Sequence, residues 1–326
     1  MMPNFSYVRV KSLQEAVKAS AVGGTSIMAG GTDLLGCLRD QVFSVDRLVS
    51  IGRLKDLKGI SRTADGGLRI GALTTITEIA ESPLIKDTFP GLAQAASEVA
   101  SPALRNQGTI GGNLCQKPRC WYYRGEFHCL RKGGDRCYAM DGENQYHGIF
   151  GSDGLCCIVH PSDTAPMLVA LGASVRVAGP KGNRLVQVEK FFVLPREDVQ
   201  KETVLGKGEI VTEVLIPKPP PGLRTSYRKV RVRQAWDFAL AGVALALVFT
   251  GDRVERGGVV LSGAAPIPWR SKAVEQAVAG RKLDAETTER AAEAAVKGAE
   301  PLEHNAYKIS LFRAIVQEEL TKVARG

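Results

Sequence analysis

Six of the chain's seven cysteines fall between residues 115 and 157, in a stretch with neither the period of a strand nor that of a helix. Gly, Cys, aromatic and charged residues are mixed there without a continuous apolar face. A patternless stretch of that length in a compact chain is functional or is held by something other than a core. Small secreted domains use such cysteines as a disulfide framework, but this chain has 326 residues and begins MMPNFSYVRV, with no basic segment leading into an apolar one. A cytoplasmic, reducing location is expected, and clustered thiols there point to metal or redox chemistry. Cys120, Cys129, Cys137 and Cys156 are separated by eight, seven and eighteen residues. Zinc ribbons use CxxC pairs, which are absent, and two-cluster ferredoxins use tighter spacing. Loose spacing on an irregular loop suits a [4Fe–4S] cube, whose four corners need not come from one turn. Zinc and unliganded thiols remain open as readings of the spacing.

The rest of the chain reads as regular structure. Hydrophobic residues make up 44% and charged residues 24%, which excludes the disordered and low-complexity classes. No apolar run approaches a membrane span; the best, around Phe238–Phe249, reads as a buried element. Residues 1–52 alternate strand and helix signals, with Ser12 and Glu15 as a capping box and strands at 5–10, 25–29 and 47–51. Residues 53–221 mix strands with helices, one capped by Thr77, and carry the cysteine segment. Lys218-Pro219-Pro220-Pro221-Gly222 marks a boundary. Beyond it, 222–326 reads as three strands, then three helices, the second capped by Asp284. Net charge is +9, and the only dense basic run is Arg224–Arg233. By itself that run fits a solvated edge, an anion site or a nucleic-acid patch.

Two glycine-rich turns carry the binding signal. Ala29-Gly30-Gly31-Thr32-Asp33 follows an apolar strand and precedes a helix beginning at Leu34. Thr109-Ile110-Gly111-Gly112-Asn113 forms the second, with Thr109 and Asn113 expected to add side-chain donors. Glycines let a phosphate approach bare backbone, and a helix start supplies N–H donors. Neither turn is GxGxxG or a P-loop, so dinucleotide-fold and Walker readings are weak. Two such turns in one chain favour a pyrophosphate held from both sides. His160-Pro161-Ser162-Asp163 is either a helix cap or a source of a carboxylate for a ribose or ribityl hydroxyl. Alternation places Lys229 and Arg231 on one strand face, where an anion would meet them. No Ser-His-Asp order or HExxH is present, and nothing reads as an acid/base pair acting on substrate.

The segments AGGTDL (29–34), RNQGTIGGNL (105–114), HPSD (160–163) and Leu171-Gly172-Ala173 occur in an order and at distances that resemble the FAD-binding medium subunit of the molybdenum hydroxylase (xanthine dehydrogenase) family. RCWYYR, DGENQYHGIFG and GNLCQKPRC are similar to the subgroup with a [4Fe–4S] insertion: the 4-hydroxybenzoyl-CoA reductase β-subunit and the FAD subunit of aromatic aldehyde oxidoreductases. The resemblance implies an α+β fold, with a two-part FAD domain of the vanillyl-alcohol-oxidase/PCMH type (1–52 and 53–221, insertion at about 115–157) and a C-terminal domain of antiparallel sheet and three helices (222–326). It implies FAD contacts from Ala29, Gly30, Gly31, Thr32, Asp33, Leu34, Thr109, Ile110, Gly111, Gly112, Asn113, Asp163 and Lys229. It gives Cys120, Cys129, Cys137 and Cys156 as cluster ligands, with Cys157 the rival of Cys156. It further implies an electron-transfer role, with the molybdenum cofactor on a large partner subunit, two [2Fe–2S] clusters on a small one, and an external electron donor or acceptor. If a partner carries an export signal, the location becomes periplasmic. The alternatives are a nucleotide-binding module with structural zinc and a stand-alone FAD oxidase.

Overall fold

Ser12 caps the first helix as its position predicts, but Glu15 reaches one residue further back than a capping box requires. The Ser12 hydroxyl accepts from the Glu15 amide at 3.2 Å, and the Glu15 carboxylate accepts from the Lys11 amide at 2.7 Å. In this computed structural model, which describes residues 2–325, the helix Leu13–Ser20 packs on a three-stranded parallel sheet. The strand Arg47–Ser50 lies between Ser6–Arg9 and Thr25–Met28, and its Leu48 and Val49 are fully buried. The turn that follows Met28 leaves this small sheet at its edge, facing the rest of the molecule.

The second unit is a five-stranded antiparallel sheet in the order Ile60–Arg62, Leu68–Gly71, Ile210–Ile216, Ser174–Gly179, Gly182–Gln187. Its central strand, Ile210–Ile216, is not anticipated by the sequence reading. Short helices, among them Ile76–Glu81 and Pro90–Ser97, share its apolar core. Thr75, not Thr77, caps Ile76–Glu81: its hydroxyl accepts from the Glu78 amide at 3.2 Å, and the Glu78 carboxylate closes the box on the Thr75 amide at 2.8 Å. Thr77 already lies inside the helix and donates to the Asn106 side chain at 2.6 Å.

The third unit is a four-stranded antiparallel sheet, Leu223–Val230, Ala241–Thr250, Arg253–Ser262 and Trp269–Arg270, backed by helices Lys272–Val278, Ala285–Ala295 and Tyr307–Arg325. The long apolar run of the sequence is the strand Ala241–Thr250, buried on both faces. Ala244 and Ala246 turn toward the second unit, and Val243, Leu245 and Leu247 turn toward the three helices. This explains the lack of polar alternation. Each fully buried Val or Leu there stabilises by ~1.5–3 kcal/mol. Phe312, Ile315, Val316, Leu320 and Val323 form the buried stripe of the last helix. Asp284 caps the helix before it, accepting from the Thr287 amide at 2.9 Å.

The basic run is not a free patch. Arg224 donates to the carbonyls of Val323 and Ala324 at the end of the last helix. Arg228 pairs with Glu318, Lys229 with Asp163, Arg231 with Glu98 and Arg233 with Asp237. Every cation of the run has a partner in the chain. Among the described residues no helix is long and apolar enough to cross a membrane.

Candidate functional site

The two glycine turns meet. A side chain at Gly30 would put its Cβ 1.9 Å from the Gln107 carbonyl, so only glycine allows the first turn to lie against the approach to the second. Gly31 has φ +72°, the left-handed conformation that favours glycine. Together the turns wall a cleft of about 550 Å³, lined by Ala29, Gly30, Gly31, Thr32, Asp33, Leu34, Thr109 and Gly112. The amides of residues 30–34 have no carbonyl or side-chain acceptor among the described residues. Consecutive unpartnered amides at a turn form an anion-binding concavity.

The second turn behaves differently from expectation. Its amides are consumed: Ile110 bonds the Thr74 carbonyl, Gly111 the Ala72 carbonyl, Gly112 the Thr109 hydroxyl and Asn113 the Thr109 carbonyl. The Asn113 side chain is turned away, accepting from the hydroxyls of Ser162 and Thr164 at 2.5 and 2.7 Å. Gly111 is a packing glycine whose added Cβ would sit 3.0 Å from that of Ala72. Ile110, Gly111 and Asn113 therefore shape the cleft wall from behind, while Thr109 and Gly112 face the cleft.

Asp163 and Lys229 are brought together, but away from this cleft. The Lys229 ammonium, whose side chain is 0% exposed, donates to the Asp163 carboxylate at 2.7 Å and to the Glu98 carbonyl at 3.1 Å. The Tyr227 hydroxyl donates to the other carboxylate oxygen at 2.9 Å. Burial pushes the Asp163 carboxyl above its ordinary range, against the pull of Lys229 and Tyr227. Helix capping falls to Ser162, which accepts from the Ala165 amide at 3.0 Å. His160 is buried against Phe192, and burial lowers it to about 3, so its imidazole is neutral.

Asp33 ties the first turn to the cysteine segment. Its carboxylate accepts from Arg124 at 2.8 Å, Arg119 at 2.9 Å and the Lys117 amide at 2.7 Å. Two guanidiniums offset one carboxylate, so the cleft mouth does not repel an anion. The sequence reading missed these partners; the basic residues flanking Cys120 in KPRCWYYR were the available signal.

Cys120, Cys129, Cys137 and Cys156 line one enclosed cavity with Tyr122, Tyr123, Arg131 and His147. Cys115 lies instead at the cleft, Cys37 behind Asp33, and the Cys157 sulfur is 3.9 Å from that of Cys137 without lining the cavity. The free volume between the four thiols is about 10 Å³, so any inorganic core would displace the side chains that close on it. Burial pushes the Cys120 thiol up to about 12. No three His, Cys, Asp or Glu side chains among the described residues converge on a single-metal position. Tyr123 and Arg131 line both spaces and form the wall between cleft and cavity.

Residues 3–219 match the family model described as the FAD binding domain in molybdopterin dehydrogenase. The chain belongs to that family. Residues 225–323 match the CO dehydrogenase flavoprotein C-terminal domain. The chain is 36% identical to the aldehyde oxidoreductase FAD-binding subunit PaoB of Escherichia coli, over 84% of its own length and 86% of that protein's. It is 31% identical to the glyceraldehyde dehydrogenase medium chain of Sulfolobus acidocaldarius, covering 86% and 83%. Among solved structures it resembles a carbon monoxide dehydrogenase from Hydrogenophaga pseudoflava, with TM-score 0.77, 26% identity and coverage of 98% and 96%. The FAD-binding fold that the family resemblance implies is thus the fold found, and the chain is an oxidoreductase subunit that transfers electrons through FAD.

Proposed function

We propose that this chain is the FAD- and [4Fe–4S]-carrying electron-transfer subunit of a heteromeric molybdenum-containing dehydrogenase, acting on aldehydes or, in the manner of a hydroxybenzoyl-CoA reductase, on aromatic thioesters. Its partners are a large molybdopterin subunit, where substrate reacts, and a small [2Fe–2S] subunit. Relatives named as an aldehyde oxidoreductase subunit and a glyceraldehyde dehydrogenase chain favour the aldehyde reading. The amides of residues 30–34, with Thr109 and Gly112 opposite, receive the charge of the FAD pyrophosphate. Asp163 and Lys229 act as a buried charge pair away from the glycine cleft, joining the FAD domain to the strand Leu223–Val230. Flavin supplies the step between two-electron and one-electron transfer, and the protein supplies placement and electrostatics.

The observation that carries the cluster is the sorting of the cysteines: four of the seven line one cavity, all four ligands are soft sulfurs, and they are those given by the resemblance. A cube takes its ligands at four corners, so convergence on one point is not required. The Cys120 thiol, held protonated by burial, must lose its proton as iron binds, which makes assembly pH-dependent. Anaerobic purification of the chain should yield about one FAD, with about four iron and four sulfide, per chain. Cys→Ser changes at 120, 129, 137 and 156 should each lose iron, and changes at 115 and 157 should retain it. A colourless protein containing zinc refutes the cluster. Loss of iron in Cys157→Ser with retention in Cys156→Ser shifts the fourth ligand by one residue.

A further inference from the structure

We propose that His147 is a positioning residue for the iron–sulfur site, its Nε2–H donating to the Cys120 sulfur and holding the cluster's reduction potential up. The inference rests on the cluster reading above. The Nε2 atom lies 3.2 Å from the Cys120 sulfur, within range of a hydrogen bond to sulfur. The residue is only 3% exposed, and its Nδ1 has no partner among the described residues. The ring therefore makes one polar contact, and that contact is to a cavity thiol. A cluster ligand is a thiolate. Two lone pairs would repel at that distance, so the ring faces a thiolate with its proton on Nε2.

The ring cannot easily swing away. It packs edge-on against Trp121, with centroids 5.7 Å apart, and lies 6.5 Å from Tyr122. Its backbone is held at both ends: the His147 amide donates to the Asn144 carbonyl at 2.9 Å, and the fully buried Asn305 side chain donates to the His147 carbonyl at 3.2 Å. Asn144 is itself fully buried and accepts from the His304 amide at 2.9 Å. The turn that leads into the last helix thus fixes the imidazole against Cys120. An N–H aimed at a ligand sulfur stabilises the reduced, more negative cluster more than the oxidised one. Hydrogen bonds to the sulfurs and solvent exposure are the levers that set such potentials.

The test uses the full chain, purified anaerobically, with the cluster's midpoint potential followed by electron paramagnetic resonance. His147→Phe keeps an aromatic ring in the cage and removes the donor. His147→Gln keeps an N–H of similar reach. The Phe variant should hold iron and sulfide at wild-type stoichiometry and show a lower midpoint potential, and the Gln variant should recover most of the shift. An unchanged potential in the Phe variant overturns the proposal. Equal shifts in the Phe and Gln variants also overturn it, because packing is then what matters. Loss of iron in both variants gives His147 an assembly role instead and overturns it as well. Absence of iron in the wild-type chain refutes the cluster reading itself, and that result is read before any variant is made.

Discussion

Lys229→Met is the substitution that best separates a flavin contact from a buried structural charge. In the folded chain Lys229 neutralises Asp163 at 2.7 Å, with its own side chain 0% and that of Asp163 5% exposed. Removing the ammonium leaves a buried carboxylate with only the Tyr227 hydroxyl at 2.9 Å. Breaking one side of such a pair costs about 3–5 kcal/mol, because the remaining charge has no compensation. Adding Asp163→Asn removes that charge and leaves a neutral amide beside Tyr227, whose imperfect bonding costs only about 1–3 kcal/mol. The order of stability should therefore be wild type, then the double variant, then Lys229→Met. Thermal unfolding of the flavin-free chain gives the order without assuming two-state behaviour, which a multidomain chain need not show. Flavin content is read from absorbance in each preparation before the flavin is removed. If Lys229→Met unfolds at the wild-type temperature and only loses flavin, the buried-pair account is wrong and Lys229 is a cofactor contact. If the double variant is less stable than the single one, the cost does not come from unpaired charge.

Gly30→Ala should lower flavin retention sharply, because the new Cβ collides with the Gln107 backbone and parts the two turns, whereas Gly36→Ala, with nothing within 4 Å, should be neutral or stabilising by up to ~1 kcal/mol. Equilibrium dialysis with FAD distinguishes them. Asp33→Asn should weaken both flavin and iron retention, since one carboxylate orders Arg119, Arg124 and the Lys117 amide beside Cys120; retention of both groups at wild-type levels would refute that coupling. Glu213 is pushed up by burial, but hydrogen bonds from Arg176 and Arg69 outweigh this and hold it below its ordinary 4.5. Its contribution is thus full above about pH 4.5 and is lost as pH falls through the lower folded value. Glu213→Gln should cost about 1.5–3 kcal/mol near neutrality and progressively less in acid; denaturation midpoints at several pH values check the convergence.

The fold was legible where local signals agree with burial. The cap at Ser12, the glycine turns, the run at 241–250 and the stripe of the last helix all read directly. The strand Ile210–Ile216 did not, because it is the middle of a sheet with both faces covered and shows no alternation. The edge strand Gly182–Gln187 escaped for the opposite reason: it is almost wholly exposed and carries no apolar face. Helix Pro102–Gln107 has a Ser101 cap and Pro at its first position, a signal that was present and unused. At the site, the first turn has the strand-to-helix form the sequence suggested. The amides of the second are spent on its own cap and on the carbonyls of Ala72 and Thr74, which counting donors from sequence cannot show.

The cysteine segment is the least regular part of the chain, yet it is held at three places by polar bonds. Asp33 holds 117–124 from the glycine turn. Glu202 binds Lys117 and the buried guanidinium of Arg131. The start of the last helix and the turn before it hold 144–148 through Asn305, Tyr307 and Lys308, whose ammonium donates to the carbonyls of Tyr146 and Gly263 at 3.2 and 2.8 Å. Burial lowers Lys308 to about 7, so its charge is tolerated only because those carbonyls face it. Polar groups buried in this way cost about 1–3 kcal/mol each when left without partners. The last helix therefore depends on the segment as much as the segment depends on it. A loop without a core of its own is positioned by two domains at once, with Tyr123 and Arg131 lining both the four-thiol cavity and the glycine cleft. That arrangement suits the proposed electron transfer between flavin and cluster, in which the distance between the two groups has to stay fixed while neither takes part in bond-making with substrate.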